Sequence, residues 1–411
     1  ASIVELQAWR SGIQVSGWVH MNAAGASPTS DATHGQMHAF LEKEREIGGY
    51  AAAAQYKKKG GRDARDAIAE LLGCDTDEIA LTESAQAAWA RAFYSLKLCS
   101  GDYIFCWVSE YAGNAVAFLQ AAKHTPGVNL IILPLREDGV IDIEALRAGL
   151  LKVPRESRAL VALTHVQTNS SIIQPAAEVG EIAKQHGAVY LLDTCQTVGQ
   201  LPVSVRAFQC HFACGTGRKW LRGPRGTGFL YAQKAAMPSS EDLDSGRGGI
   251  FGEPAMIDHV SAQWLAKMSY RLSSGAQRFE MWESAEAARA GLAVAVDECR
   301  SIGPDRIHAL SSALARRLRS GLSSIPGVVI CDAPASFNET SLARCAIVTF
   351  EAFSTLGIHS ESVIDALADK KIAASISPSN HTFNDTEWQR PATVRLSPSY
   401  FNTEAEIGTV L

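Results

Sequence analysis

No apolar run in this sequence approaches the length of a membrane span. The longest, at 129–135 and 159–163, fall far short of the roughly 20 residues that a bilayer-crossing helix needs, so no membrane partner is expected. No charged start followed by an apolar core opens the chain at Ala1-Ser2-Ile3-Val4-Glu5, so no signal peptide is visible and the expected location is cytoplasmic. An excess of positive charge is missing as well: 38 Lys and Arg stand against 43 Asp and Glu, a net charge of −5. Without a global basic field, neither nucleic acid nor an anionic lipid surface is an expected partner. There is no fixed-period repeat and no low-complexity tract. What is present is ordinary globular composition, 46% hydrophobic and 20% charged over 411 residues, which argues against a disordered or fibrous chain. At about 100–200 residues per domain, that length suits two or three domains, or one large domain with a smaller satellite.

The nine cysteines are an odd number and are scattered along the chain, which reads as reduced, mostly buried thiols. Cys210 and Cys214 flank His211, but no second Cys/His pair follows at zinc-site spacing, so no metal site is expected.

From about residue 75 to 231, short β-rich runs alternate with helical stretches. The strand candidates are 78–81, 102–107, 129–134, 159–165, 188–193, 212–215 and 227–231, and several are continuous apolar runs, as in strands covered on both faces. Helical patterns at 84–98, 113–123, 142–151 and 175–186 lie between them. Such alternation predicts an α/β fold with a mostly parallel, seven-stranded sheet sandwiched by helices. After about residue 254 the texture changes. Long helices at 283–302 and 304–325 precede strands at 328–331 and 345–351, a helix at 360–370 and a last strand at 393–396, which reads as a smaller α+β C-terminal domain. The expected division is an N-terminal segment over 1–20 packing on the small domain, a large domain over 21–255 and a small domain over 256–411. The glycine-dense stretch 246–252 lacks the lysine and Ser/Thr of a P-loop and reads as a flexible connector. The basic run 57–65 reads as a solvated helix face.

The chemistry concentrates in 191–231, LLDTCQTVGQLPVSVRAFQCHFACGTGRKWLRGPRGTGFLY. Asp193 closes an apolar strand, at the sheet edge where open α/β folds bind ligands. Lys219 follows after Gly215-Thr216-Gly217-Arg218, and a Gly223-Pro224-Arg225-Gly226 turn leads into the next strand. Alone, Asp193 would be read as a cap or turn residue and Lys219 as a surface lysine. Together, in this order, they suit a pyridoxal 5'-phosphate (PLP) site, where the lysine forms a Schiff base and the aspartate keeps the pyridine nitrogen protonated.

These residues resemble the class V aminotransferase family of fold-type I PLP enzymes, which includes cysteine desulfurases, kynureninase, isopenicillin N epimerase and several C–S lyases. The resemblance runs from the VHMNAAGASP stretch at 19–28 to about residue 407. It implies that Lys219 carries the cofactor and later shuttles a proton, that Asp193 pairs with the pyridine nitrogen, and that Gln196 bonds the phenolic oxygen. It places the phosphate at the helix start Ser84-Ala85-Gln86, with Thr216 and Arg218 adding contacts. Tyr111 stands where the family stacks an aromatic residue, usually histidine, on the ring. In 164–169, Thr168 or Asn169 matches the contact near the phenolic oxygen and the substrate, with both left open. Arg395 matches the arginine that binds the substrate α-carboxylate, a task suited to its planar fork. Asn22 and Ala24 fall in the segment that passes over the substrate.

Other features bear on the reaction. A desulfurase needs a thiolate on the mobile loop before that arginine, and 372–390 contains no cysteine. Glu44-Arg45-Glu46-Ile47-Gly48-Gly49-Tyr50 resembles a stretch of the C–S lyase of ergothioneine biosynthesis and its relatives, in which Tyr50 either reaches the substrate or packs at a helix end. The stretch 278–283 lacks the Gly-Thr that reaches a partner subunit's phosphate in desulfurases, although a homodimer remains the family norm. The loop 376–388 is expected at the substrate mouth. The resemblance thus implies a PLP-dependent C–S lyase that releases pyruvate and ammonia from a cysteine conjugate or its sulfoxide, the alternative being an aminotransferase or epimerase on another small amino acid.

Overall fold

The computed structural model describes residues 2–10, 17–338, 344–383 and 391–411. All seven expected strands form one sheet: β1 (Ile79–Thr82), β2 (Tyr103–Trp107), β3 (Asn129–Leu133), β4 (Ala159–Thr164), β5 (Val189–Asp193), β6 (Phe212–Thr216) and β7 (Gly228–Ala232). They run in the order β1-β7-β6-β5-β4-β2-β3. Pairing is parallel throughout except at β7, which is antiparallel to both its neighbours.

The continuous apolar runs are explained by cover on both faces. Alternate residues point to opposite sides. Tyr190 and Leu192 join one core, while Val189 and Leu191 join the other. Helices α1 (Ala85–Tyr94) and α2 (Ala112–His124) pack Trp89, Phe93 and Phe118 on the second face. Helices α3 (Ile143–Leu150) and α4 (Ala176–Gln185) pack Leu146, Val179 and Ile182 on the first.

The long helix α5 (Glu286–Ile302) also seats Leu292, Val296 and Cys299 in that first core. Gly303 then turns the chain at φ 91°, a conformation glycine reaches without steric cost, and Pro304 opens α6 (Pro304–Ser323). Leu314, Leu318 and Leu322 of α6 belong to a separate core. They cover an antiparallel sheet of β8 (Val329–Ile330), β9 (Val348–Glu351), β10 (Ser375–Ser377) and β11 (Thr393–Leu396), ordered β8-β9-β11-β10. Val19–His20 pairs in parallel with Ile372–Ala373, which brings the N-terminal segment onto this part of the molecule.

Several sequence expectations need correction. The stretch 246–252 is docked, not a flexible connector. Lys97 N donates to Ile250 O and Gly252 N donates to Ser95 O, both at 2.7 Å, and Ile250 is buried in the core. A Cβ on Gly252 would lie 2.8 Å from Ser95 O, so glycine permits the approach. The same docking ends α1 at Tyr94, earlier than the periodicity predicts, because 95–97 is drawn off to this partner. The hairpin Ala262–Ala266 and Ser269–Leu272 had no clear sequence signal. The basic run divides between the exposed end of the helix Gly49–Lys58 and the start of Ala64–Leu72.

A buried ion cluster joins the smaller sheet to the loop after β4. Asp332, fully buried, accepts from Arg319 Nε and Arg344 Nη2 at 2.5 Å each, and its carbonyl accepts from Ser171 N at 2.8 Å. The loop leading from Thr164 is thereby held against the core of the smaller sheet, which Val166 joins.

Candidate active site

Strand register brings the important residues to one edge of the large sheet. Thr164 on β4 lies opposite Asp193 on β5, and Thr82, Gly228 and Thr216 sit side by side across β1, β7 and β6. This is the carboxyl edge of the parallel strands, where crevices form in open α/β sheets. A partly enclosed cavity opens there, the kind of crevice in which small-molecule sites form. All ten residues assigned to the cofactor from the sequence line it: Ser84, Ala85, Gln86, Tyr111, Thr168, Asp193, Gln196, Thr216, Arg218 and Lys219.

At one end of the cavity α1 begins. Ser84 caps the helix, its Oγ accepting from Ala87 N at 3.1 Å. The remaining first-turn N–H groups and the positive helix end favour an anion. A Cβ on Gly228 would lie 2.3 Å from the Ser84 carbonyl carbon and 2.6 Å from Ala85 N, so β7 can pass this close only as glycine. Arg218 adds a cation to the cavity lining, and its guanidinium donates to Gly25 O.

At the other end, both oxygens of Asp193 are held. Cys195 N donates to Oδ1 at 2.9 Å and Asn114 Nδ2 to Oδ2 at 3.1 Å. Asn114 Nδ2 also donates to Glu110 Oε1 at 2.9 Å, and Tyr111 N donates to that same oxygen at 3.0 Å. Thr164 Oγ1 bonds Glu110 as well. Burial, with the nearby Asp193 charge adding to it, raises the Glu110 pKa to about 7 despite these donors. Lys219 is partly buried in the cavity wall, and burial lowers its pKa, with Cys195 and Asp193 opposing the shift. Tyr111 has its phenol pushed up by burial and by Asp193, and its ring meets His381 edge-on at 6.2 Å.

Gln196 is committed on both sides. Its Oε1 accepts from Trp220 Nε1 at 2.9 Å, and Nε2 spends one of its two hydrogens on Ala24 O at 3.1 Å. Ala24 therefore stands behind Gln196. Thr168 lines the cavity, and Arg395 lies behind it, donating from Nη1 to Thr168 Oγ1 at 2.5 Å and to its carbonyl at 3.0 Å. Arg395 Nε donates to Ser375 Oγ at 3.1 Å. Among the described residues no carboxylate pairs with this buried guanidinium, and burial together with Arg218 lowers its pKa to about 10.

The other expected substrate residues are placed less directly. Asn169 does not line the cavity, and its carbonyl accepts from Thr349 Oγ1 at 2.9 Å. Asn22 bridges to Ser397, and its Oδ1 is a buried acceptor without a protein donor. Tyr50 is not brought to the cavity of this chain: it is 79% exposed, tilted against Trp282 at 6.1 Å. Of the loop 376–388, residues 384–388 lie outside the described residues. The sequence reading assigned no role to Glu110, Asn114, Trp89, Thr164 or Cys195. A four-residue spacing puts Asn114 one turn from Glu110, but nothing local points either residue at Asp193.

The chemistry of this donor set fits PLP. A helix start with a hydroxyl, in a cavity that Arg218 also lines, suits a phosphate, Asp193 suits a protonated ring nitrogen, and the Lys219 amine, its pKa lowered by burial, suits the aldehyde. Asn114 Oδ1 adds a buried acceptor in the cavity wall with no protein donor. Fold and cavity together define a fold-type I PLP enzyme. Comparison with known proteins narrows the class. Residues 19–410 match the model of the Aminotransferase class-V family, and the chain belongs to that family. A probable cysteine desulfurase of Methanothermobacter thermautotrophicus is 27% identical over 313 residues, which cover 75% of this chain and 74% of the relative. The cysteine desulfurase CsdA of Escherichia coli superposes with a TM-score of 0.81 at 20% identity, covering 99% of this chain and 96% of that one. The cystine C–S lyase C-DES, in complex with its product cysteine persulfide, superposes with a TM-score of 0.78 at 21% identity, covering 97% of each chain. No helix among the described residues is long and apolar enough to cross a membrane.

Proposed function

We propose that the chain is a PLP-dependent C–S lyase that cleaves a cysteine conjugate or cysteine sulfoxide. The observation that carries the reading is Arg395, a buried guanidinium without a carboxylate partner among the described residues, next to the wall formed by Thr168. An amino acid's α-carboxylate completes it. The absence of cysteine from 372–390 favours elimination over transfer of sulfur to the protein.

Ser84, Ala85, Gln86, Thr216 and Arg218 hold the phosphate, Tyr111 covers the ring, Gln196 meets the phenolic oxygen, Asp193 the ring nitrogen and Lys219 the aldehyde. When bound, PLP supplies an electron sink for bond breaking at the substrate α-carbon. Lys219, its proton affinity lowered by burial, takes the α-proton at Nζ and returns it. Arg395 and Thr168 orient the substrate carboxylate. The Cα–H and Cβ–S bonds break, sulfur leaves as a thiolate or sulfenate, and water converts the three-carbon remainder to pyruvate and ammonia, so no oxidant is needed. Asn22, Ala24 and Asn169 belong to the substrate side of this proposal, and Tyr50 joins them only from a partner subunit.

A homodimer is part of the reading. The hairpin 262–272 exposes Trp264, Met268 and Tyr270, a surface suited to a second copy. The odd number of cysteines, nine scattered along the chain, agrees with a reducing, cytoplasmic location. The resemblance of 44–50 to the C–S lyase of ergothioneine biosynthesis supports a cysteine sulfoxide conjugate as the substrate. The test is incubation of the PLP-loaded protein with S-alkyl cysteine sulfoxides. Pyruvate released without an added keto acid supports the lyase, whereas amine transfer that requires a keto acid supports the aminotransferase. Borohydride reduction and peptide mapping should place the pyridoxyl label on Lys219.

A further inference from the structure

The buried carboxyl of Glu110 has no part in the reaction just described, yet one of its oxygens meets three donors. Tyr111 N reaches Oε1 at 3.0 Å and Asn114 Nδ2 at 2.9 Å, with Thr164 Oγ1 as the third. All three donor residues, Tyr111, Asn114 and Thr164, line the cavity. Asn114 carries the connection further, since the second hydrogen of its Nδ2 goes to Asp193 Oδ2 at 3.1 Å. Asp193 Oδ1 is already fixed by Cys195 N. Removing the Asn114 arm would leave that carboxylate free to turn about its remaining bond.

We propose that Glu110 is a positioning residue, which acts through the Asn114 amide to orient Asp193 and through the Tyr111 N–H to orient the cavity's aromatic wall. It thereby sets how tightly the site holds PLP. This rests on the reading of the cavity as a PLP site and adds a residue that does not touch the cofactor.

The electrostatics are consistent with the geometry. The ionisable groups facing Glu110 are Asp193 at the end of β5, Tyr111 beside it, and Cys106 on β2, whose thiol Glu110 and burial both push up. His165, the neighbour of Thr164, is held neutral by burial, which lowers its pKa to about 4. Among the described residues no cation bonds Glu110 itself; Lys219 acts on Asp193, and Arg218 and Arg395 act on Tyr111. Near neutral pH, Glu110 therefore sits where it can hold a proton, and the Asn114 amide links it to the Asp193 carboxylate without two like charges facing each other.

The test uses holoprotein and three variants, Glu110→Gln, Glu110→Ala and Asn114→Ala, with two readouts: the Kd for PLP, and the absorbance of bound cofactor as a function of pH. Glu110→Ala and Asn114→Ala should each weaken PLP binding by about tenfold, the scale of one lost buried hydrogen bond. The double Ala variant should be little worse than either single one, because both break the same chain. Glu110→Gln keeps a neutral acceptor and should restore binding, while removing any absorbance step near pH 7. Wild-type Kd and pH profile in Glu110→Ala would overturn the inference and leave the functional reading standing, and so would additive losses in the double variant. Failure of the wild-type protein itself to bind PLP would remove both.

Discussion

Replacing Glu110 by glutamine should change how stability depends on pH, and the sign follows from burial. The carboxyl is 2% exposed, and its pKa rises from an ordinary 4.5 to about 7. As pH rises through 4.5 the unfolded chain releases this proton while the native protein keeps it, so the native state binds more protons and stability falls with pH. The fall ends once pH passes about 7, where the native carboxyl also ionises. A shift of that size corresponds to on the order of 3 kcal/mol, at 1.36 kcal/mol per unit. Glutamine has the same shape and the same acceptor but cannot ionise. The variant should therefore match wild type below about pH 4 and gain on it progressively as pH rises to about 7, by up to about 3 kcal/mol. Urea denaturation of both proteins at half-unit pH intervals measures the difference directly, and other titrating groups cancel in the comparison. A difference that stays flat from pH 5 to 8 would show that Glu110 is ionised throughout in the native state, and the electrostatic argument would be wrong.

Three further outcomes are expected. Arg395→Ala should raise KM for the amino acid by about 10- to 100-fold, as for loss of a charge-assisted hydrogen bond, with Arg395→Lys in between, and an unchanged KM would remove the carboxylate assignment. Gly228→Ala would drive a Cβ against Ser84 and Ala85 backbone atoms at 2.3 and 2.6 Å, so it should cost about 1–3 kcal/mol in thermal unfolding and weaken PLP binding; a wild-type melting curve counts against the close approach. Asp332→Ala leaves Arg319 and Arg344 buried without their shared carboxylate, and denaturant unfolding should show a loss of about 3–5 kcal/mol.

Much of the large sheet was legible because its signals are local. Strands covered on both faces read as unbroken apolar runs, and the helices between them carry the 3.6-residue period, so all seven strands lie within a residue or two of their expected bounds. Two short C-terminal strands were less so: Ile372–Ala373, paired with Val19–His20, and Ser375–Ser377, at the edge of the smaller sheet, are two and three residues long, too short for any period to show. The stretch 246–252 misled because glycine density signals flexibility and close packing alike, and only its partners at Ser95 and Lys97 decide between them.

By itself, the sequence determined the sheet, its helical cover and the family, since alternation and the Asp193–Lys219 motif lie within short spans. The tertiary structure alone decided how the cavity wall is braced. Asn114 meets Asp193 across 79 positions of chain and Arg395 meets Thr168 across 227, while Tyr50, beside a matching motif, turns outward against Trp282. Such contacts depend on where the folded backbone brings distant donors and acceptors together, and a buried polar group has to find a partner there whatever its neighbours in sequence.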